Sequence, residues 1–237
     1  MKNSAEKLNS FDAYAANYDA ALAKGISVSG EDKEYFAAGR IQWLARQLKA
    51  LEHTPTSILD FGCGAGSATP YLLKLKGCSS ILGVDTSTES LAIAELKHGA
   101  PNVRYMANAV YQPREEFELA FCNGVFHHIP LSERQAAVDY VYKAVRPGGI
   151  FSFWENNPWN PGTRYVMSRI PFDRDAITLS APEARRMLTA GGFEVLRIDF
   201  AFIFPKLLSA LRPLEQYLVR LPFGAQYQVL CRKPHSN

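Results

Sequence analysis

Ser57-Ile-Leu-Asp-Phe-Gly-Cys-Gly-Ala-Gly-Ser67 is the stretch around which the chain is organised. A short apolar run ends in Asp60, and glycines follow at alternate positions, Gly62, Gly64 and Gly66. The run reads as a buried strand Ser57 to Asp60 and the glycines as a tight turn, with a helix-compatible segment Ala68 to Lys76 behind them. Glycine lets the backbone turn sharply and lets a ligand lie against it without a Cβ in the way. Strand, glycine turn and helix N-terminus together suit a nucleotide-type ligand.

Reading outward, strands and helices alternate. Strands are expected at Ile81–Asp85, Val103–Met106, Phe117–Cys122, Ile150–Trp154, Phe193–Phe200 and Gln226–Cys231. Thr86 with Glu89 reads as a capping box opening a helix to about Lys97. Ser132 with Gln135 reads as the cap of a helix to about Val145, and Ser180 with Glu183 as the start of one that stops at Gly191-Gly192. Arg146-Pro-Gly-Gly149 reads as a hard turn, and Asn156–Gly162 as a polar, proline-rich loop followed by Thr163 to Asp175. Upstream, Phe11, Tyr14 and Tyr18 have helical spacing, Gly25 to Gly30 reads as a loop, and Lys33–Leu51 as a second helix with Ile41, Leu44, Leu48 and Leu51 on one face.

This alternation implies βαβ units and a parallel sheet, with the first and fourth strands flanking a switch point and ligands at the strands' carboxyl ends. Asp60, Asp85, Asn123 and Glu155 each stand at or just past such an end. The expected organisation is one domain over 1–237: a helical cap at 1–55, a ligand-binding core at 56–200 and an insertion at 201–225 between the last two strands. Within that insertion a short helix is expected from Lys206 to Val219.

The chain has 237 residues, of which 47% are hydrophobic and 21% charged, enough for a sizeable core and too ordered a composition for disorder. A net charge of +3 without a dense basic tract argues against a nucleic-acid partner. The four cysteines, Cys63, Cys78, Cys122 and Cys231, form no CxxC pair or zinc-like spacing. They fit a reduced, cytoplasmic protein. The opening Met1-Lys-Asn-Ser-Ala-Glu-Lys7 lacks the apolar core of a signal peptide, and no run is long and apolar enough to be read as a membrane span.

The glycine loop alone does not name its ligand, because hydride-transferring enzymes use one too. The dinucleotide pattern GxGxxG requires glycine where Ser67 stands. Asp60 immediately precedes the glycines, and Asp85 ends the second strand where a ribose diol would be held.

Ile58–Gly66 with Gly83-Val-Asp-Thr-Ser87 resembles the class I S-adenosylmethionine-dependent methyltransferases, nearest to the small-molecule enzymes of quinone biosynthesis and natural-product pathways. Their pattern DxGxGxG is met by Asp60, Gly62, Gly64 and Gly66. The likeness extends through Phe11-Asp12, Ala15 and Tyr18-Asp19, through Val125-Phe-His-His-Ile-Pro130 and through Arg146–Gly149, covering roughly residues 10 to 200. It implies a Rossmann-like α/β fold with a mostly parallel seven-stranded sheet and an N-terminal helical lid. It also implies S-adenosyl-L-methionine as cofactor. Asp60, Gly62, Cys63, Gly64 and Gly66 would hold its methionine part, with Asn123 near the amino group. Asp85 would take the ribose hydroxyls with Thr86 beside the adenine. Asn108, with Ala109, would stand in for the acid that many members place after the third strand.

For the chemistry, an acceptor must shed a proton as it takes the methyl group, and a histidine titrating near neutrality suits that task. His127 and His128 are the candidates, with Glu155 orienting the imidazole or binding substrate. Tyr14, Tyr18, Asn156 and Trp159 are candidate substrate contacts. No metal is expected, since only Asn123 among acids and amides stands at the fourth strand's end. Phe200, Phe202, Phe204, Leu207, Leu208, Leu211, Leu214, Tyr217 and Leu218 form an apolar surface. Packing over the sheet edge is the plain reading. A hydrophobic channel or a membrane-facing helix flanked by Lys206, Arg212 and Arg220, serving a lipid-linked acceptor, is the sharper one.

The expected activity is methyl transfer to oxygen or nitrogen of a small molecule. Carbon methylation of the quinone-biosynthesis type, a nucleotide-dependent oxidoreductase and a non-catalytic cofactor-binding protein are the alternatives. Oligomeric state is left open.

Overall fold

The structure, a computed structural model, describes residues 25–170, 173 and 176–235. Tyr14 and Tyr18, with residues 1–24 of the expected cap, lie outside these residues.

Seven strands form one sheet: β1 (Ser57–Phe61), β2 (Ser80–Asp85), β3 (Val103–Ala107), β4 (Phe117–Asn123), β5 (Val145–Asn156), β6 (Glu194–Ala201) and β7 (Gln226–Arg232). Their order is β3-β2-β1-β4-β5-β7-β6. The first five run parallel, and β7 inserts antiparallel between β5 and β6. β1 pairs with β2 on one side and β4 on the other, with Asp60 opposite both Gly83 and Phe121. The chain therefore reverses its winding direction beside β1, and the crevice opens at the carboxyl ends of β1 and β4.

Both sheet faces are apolar because helices cover both. One layer is built on Leu59, Val84, Phe126, Phe153 and Val229, and the other on Leu44, Ile58, Phe121, Trp154 and Leu230. Helix α1 (Lys33–Ala50) starts where Asp32 accepts a hydrogen bond from the Tyr35 amide at 2.8 Å, and buries Ile41, Leu44 and Leu48. Its spacing of three and four residues gives one apolar stripe, which leaves Lys33, Ala37 and Arg40 at the crevice.

Several local expectations shift. Helix α2 is a single turn (Thr69–Leu72), started near Pro70 without a side-chain cap, and the segment passes into turns at Leu73 rather than continuing as helix to Lys76. Helix α3 (Thr88–His98) is capped by Ser87, which accepts from the Ser90 amide at 3.1 Å, so the cap falls one residue after Thr86. Helix α4 (Arg134–Ala144) starts from Glu133 with no side-chain cap, and Ser132 plays no capping part. Arg146–Gly149 lies inside β5 as an irregularity: Val145 pairs with Phe117 and Ile150 with Leu119, and Gly148 takes φ +79°.

The loop expected over Asn156–Gly162 gives way to a helix at Pro161. Asn160 caps α5 (Pro161–Arg169) by accepting from the Thr163 amide at 2.9 Å, with Pro161 in the first turn. Helix α6 (Ala181–Ala190) carries the expected box, the Ser180 amide donating to Glu183 at 2.8 Å, and ends at Gly191. Between β6 and β7, Lys206–Leu214 is a 3-10 segment kinked at Leu208 and runs into a single turn, α7 (Glu215–Leu218). Pro213 precludes a regular helix there. No helix among the described residues is long and apolar enough to cross a membrane.

Candidate active site

A cavity of about 530 Å³ opens at the carboxyl ends of β1, β2 and β4, a volume suited to a cofactor-sized ligand. The glycine loop forms one wall. Gly62 and Cys63 donate from their amides to the Val84 carbonyl, at 2.8 and 3.1 Å, which ties the loop to β2. Gly62 takes φ +71°, and a Cβ there would stand 2.3 Å from Val125. Gly64 takes φ +51°, and a Cβ there would meet nothing within 4 Å. The first glycine is needed for packing. The second leaves bare backbone facing open space, as close approach of a ligand requires.

Asp85 braces the loop from β2. Its Oδ2 accepts from the Gly64 amide at 2.8 Å and its Oδ1 from the Ser87 amide at 2.9 Å. Asp85 also lines the cavity. Thr86 and Asn108 line the same side.

Asp60 is only 2% exposed, and its Oδ2 has no hydrogen-bond partner. Burial, reinforced by the charge of Asp85 and opposed by Arg40, pushes its carboxyl up to about 7. Asn123 lines the cavity from the end of β4, and its buried Oδ1 is likewise unpartnered. Two orphaned acceptors at one cavity wall are costly in an empty site. They fit a ligand that brings a cation and N–H or O–H donors. S-adenosyl-L-methionine, with its ammonium, sulfonium and ribose hydroxyls, meets that requirement.

Past β4 lies the histidine pair. Glu155, 1% exposed at the end of β5, accepts from the Phe126 amide at 2.7 Å, and its Oε2 stands 2.6 Å from Nδ1 of His127. Nε2 of His127 is 3.5 Å from Oδ1 of Asp173, and Nε2 of His128 is 3.4 Å from the same oxygen. The two imidazoles lie 4.0 Å apart. Burial alone pulls His127 down, but the Glu155 and Asp173 carboxylates outweigh it and raise the imidazole to about 10. A histidine that holds its proton at neutrality is not a ready base. His128 lines the cavity, whereas His127 and Glu155 stand behind it. The backbone fixes this arrangement. The Ile177 amide donates to the His127 carbonyl at 2.9 Å, and the buried Arg134 guanidinium bonds the carbonyls of Ile129 and Ile177.

Gathered at the cavity, then, are Asp60, Gly62, Cys63, Gly64, Asp85, Thr86, Asn108, Asn123 and His128. Ala109 is not part of its wall, and a Cβ on Gly66 would point at Tyr105 and His98 instead. Two expected substrate contacts are also elsewhere. Asn156 accepts from Gln226 across the β5–β7 pair at 3.1 Å. Trp159, 53% exposed, stacks on Phe200 at 6.5 Å. Neither is among the residues that line the cavity. Sequence reasoning missed Arg40, which arrives on a helix with no motif, and Asp173, which lies far along the chain from the histidines it meets.

Residues 58–149 match a family model described as a methyltransferase domain. A trans-aconitate 2-methyltransferase of Deinococcus radiodurans is 30% identical over 110 residues, 46% of this chain and 42% of that one. A ribosomal RNA small subunit methyltransferase C of Shewanella loihica is 33% identical over 115 residues, 45% of this chain and 34% of that one. The chain thus spans less than half the length of these curated relatives. Their named acceptors differ, so the shared region does not specify one. Among solved structures, an S-adenosylmethionine-dependent methyltransferase of Thermotoga maritima superposes with a TM-score of 0.64 at 16% identity, covering 96% of this chain and 99% of that one. That likeness is one of fold.

Proposed function

We propose that this chain, whose residues 58–149 match a methyltransferase domain and whose fold is that of an S-adenosylmethionine-dependent methyltransferase, transfers a methyl group from S-adenosyl-L-methionine to an oxygen or nitrogen of a small-molecule acceptor. The observation that carries this reading is the buried, unpartnered Oδ2 of Asp60 beside the open Gly64 backbone and the braced Asp85. When bound, the cofactor supplies an electrophilic methyl group on a sulfonium.

Asp60 and Asn123 receive the cofactor's cationic and N–H groups, and the cationic neighbour lowers the Asp60 carboxyl back into the ionised range. Asp85 accepts from the ribose hydroxyls while still holding the glycine loop. Thr86 and Asn108 flank the base. On the β4–α4 side, His128 meets the acceptor. His127, clamped between Glu155 and Asp173, is a positioning residue that fixes the ring of His128 beside it. With little acid–base apparatus at the wall, much of the rate is left to alignment of acceptor and methyl group.

A hydrophobic or lipid-linked acceptor is supported by the segment between β6 and β7. Its Leu207 is 94% exposed, Tyr217 and Leu214 stand out beside it, and Arg220 borders them. The segment is nevertheless held in place. Glu215 accepts from the amides of Ile203 and Phe204 at 3.0 and 2.8 Å, and Arg212 pairs with Glu31 at 2.7 Å. An apolar surface fixed in this exposed arrangement suits contact with lipid or an apolar acceptor.

Calorimetric titration with S-adenosylhomocysteine and with NAD, followed by transfer of labelled methyl into fractions of a metabolite extract, tests the reading. Binding of S-adenosylhomocysteine and label in a small-molecule fraction are expected. Binding of NAD alone refutes the reading, and cofactor binding without transfer to any fraction favours a binding protein.

A further inference from the structure

We propose that His127, His128 and Asp173 form a site for one divalent transition-metal cation of the zinc class, beside the cofactor cavity. Their candidate ligand atoms all lie within 4.8 Å of one another. The Asp173 oxygen stands 3.5 and 3.4 Å from the two imidazole Nε2 atoms. These separations are too long for good N–H···O hydrogen bonds, which run to about 3.2 Å. They match a metal site. Ligand atoms at about 2.0–2.2 Å from a tetrahedral zinc ion stand about 3.3–3.5 Å from each other.

The surroundings are built for the same purpose. Glu155 at 2.6 Å from His127 Nδ1 turns the opposite nitrogen toward Asp173, the carboxylate–histidine arrangement that orients a metal-bound imidazole. Phe126 and Asn156 amides hold that carboxylate in turn, at 2.7 and 3.3 Å. Asp173 and His127 are both buried, so the cluster sets two carboxylates against two imidazoles away from bulk water. A dication held by Asp173 and the two imidazoles would balance the carboxylate charge that the cluster gathers. Nitrogen and carboxylate ligands select zinc-like cations over magnesium or calcium.

Three protein ligands leave a fourth tetrahedral position, as in catalytic zinc centres. Because His128 lines the cavity, that position belongs to water or to a hydroxyl, thiol or amine of the acceptor, whose acidity the cation would raise. In this form His128 serves as a ligand, and the acceptor's donor atom takes the place beside it.

The inference rests on the cluster geometry and deepens the acceptor side of the proposed methyl transfer. The full chain, stripped by chelator and freed of it, is titrated with Co2+ as a visible stand-in for zinc. One Co2+ per chain is expected, with the d–d absorption of a tetrahedral site and no thiolate charge-transfer band. Glu155→Gln should weaken binding roughly 10–100-fold, and Asp173→Ala and His128→Ala should abolish the tetrahedral spectrum in protein that still melts cooperatively. No visible bands at saturating Co2+, a thiolate band, or bands unchanged in both ligand variants overturns the proposal. S-adenosylhomocysteine binding measured on the same samples separates the two readings: cofactor binding without Co2+ sinks only the metal site, and Co2+ binding without cofactor sinks only the methyltransferase activity.

Discussion

The glycine-loop wall and the histidine cluster sit on opposite flanks of one cavity and are built in contrary ways. The loop wall is built on the short run from Asp60 to Gly64 with Asn123 of β4 beside it, and its polar groups are left wanting: Asp60 and Asn123 each keep a buried acceptor without a donor. The histidine cluster is assembled from β4, β5 and the segment before α6, and its charged groups face one another. An unsatisfied wall sacrifices stability for affinity, since a ligand supplies what the fold withholds. A mutually engaged cluster supports the fold and holds its shape before anything binds.

The contrast can be broken first at Glu155. Glu155→Ala strands His127 and the Phe126 amide in a buried setting, and chemical denaturation should report a loss of about 3–5 kcal/mol. A loss under about 1 kcal/mol would mean that the cluster contributes little to the fold. On the other flank, Asp85→Ala removes the brace of Gly64 and Ser87 as well as the proposed ribose contact. Calorimetry should show S-adenosylhomocysteine binding weakened roughly 100-fold, about 3 kcal/mol, from hydrogen bonds to a charged group. Stability should change less than affinity.

Asp60 sharpens the comparison through pH. Its carboxyl is raised to about 7 in the folded protein by burial and by Asp85, against about 3.9 in an unfolded chain. Between those values the native state keeps a proton that the unfolded chain has released, so stability falls as pH climbs through this window. Asp60→Asn should therefore raise the melting temperature of the ligand-free protein at pH 8 by roughly 5 °C, on the order of 2 kcal/mol, with little change at pH 4. The same variant should bind S-adenosylhomocysteine more weakly. Lower stability at pH 8 would show that Asp60 is held by the fold and not left for a ligand.

The smallest effect is expected outside the cavity. Leu207→Ser at a 94% exposed position should leave stability within about 0.5 kcal/mol. Sedimentation with anionic lipid vesicles should nonetheless drop if this segment meets lipid. Equal sedimentation of both forms removes the lipid reading.

Much of the fold was legible because its cues are local. Alternating apolar runs and glycine turns place every strand but β5 within about two residues of its expected ends, and the Ser180–Glu183 cap does the same for α6. The misplacements came where local cues compete. Thr86 and Ser87 are both cap residues, and register with β1 hands the role to Ser87. Asn160-Pro161 carried a readable helix start that the surrounding prolines obscured. In the site, the acid–glycine pattern located the wall that Asp60, Gly64 and Asp85 form, since those residues need only one strand pair to meet. The surroundings of Asn156 and Trp159 were not legible because a strand's exit direction depends on its neighbours: Asn156 meets Gln226 of β7, and Trp159 stacks on Phe200.

By itself, then, the sequence determined the parallel α/β sheet, the ligand loop and the chemical character of what the loop receives. Periodicity, glycine conformation and a strand-ending acid act over a few residues, where chain connectivity alone dictates proximity. Tertiary structure decided that His127 lies behind His128, that Asp173 meets both, that Arg40 faces Asp60, and that Asp60 is left without a donor. Each of these depends on which side chains packing brings within a few ångströms and how far it excludes water. No spacing along the chain encodes either quantity.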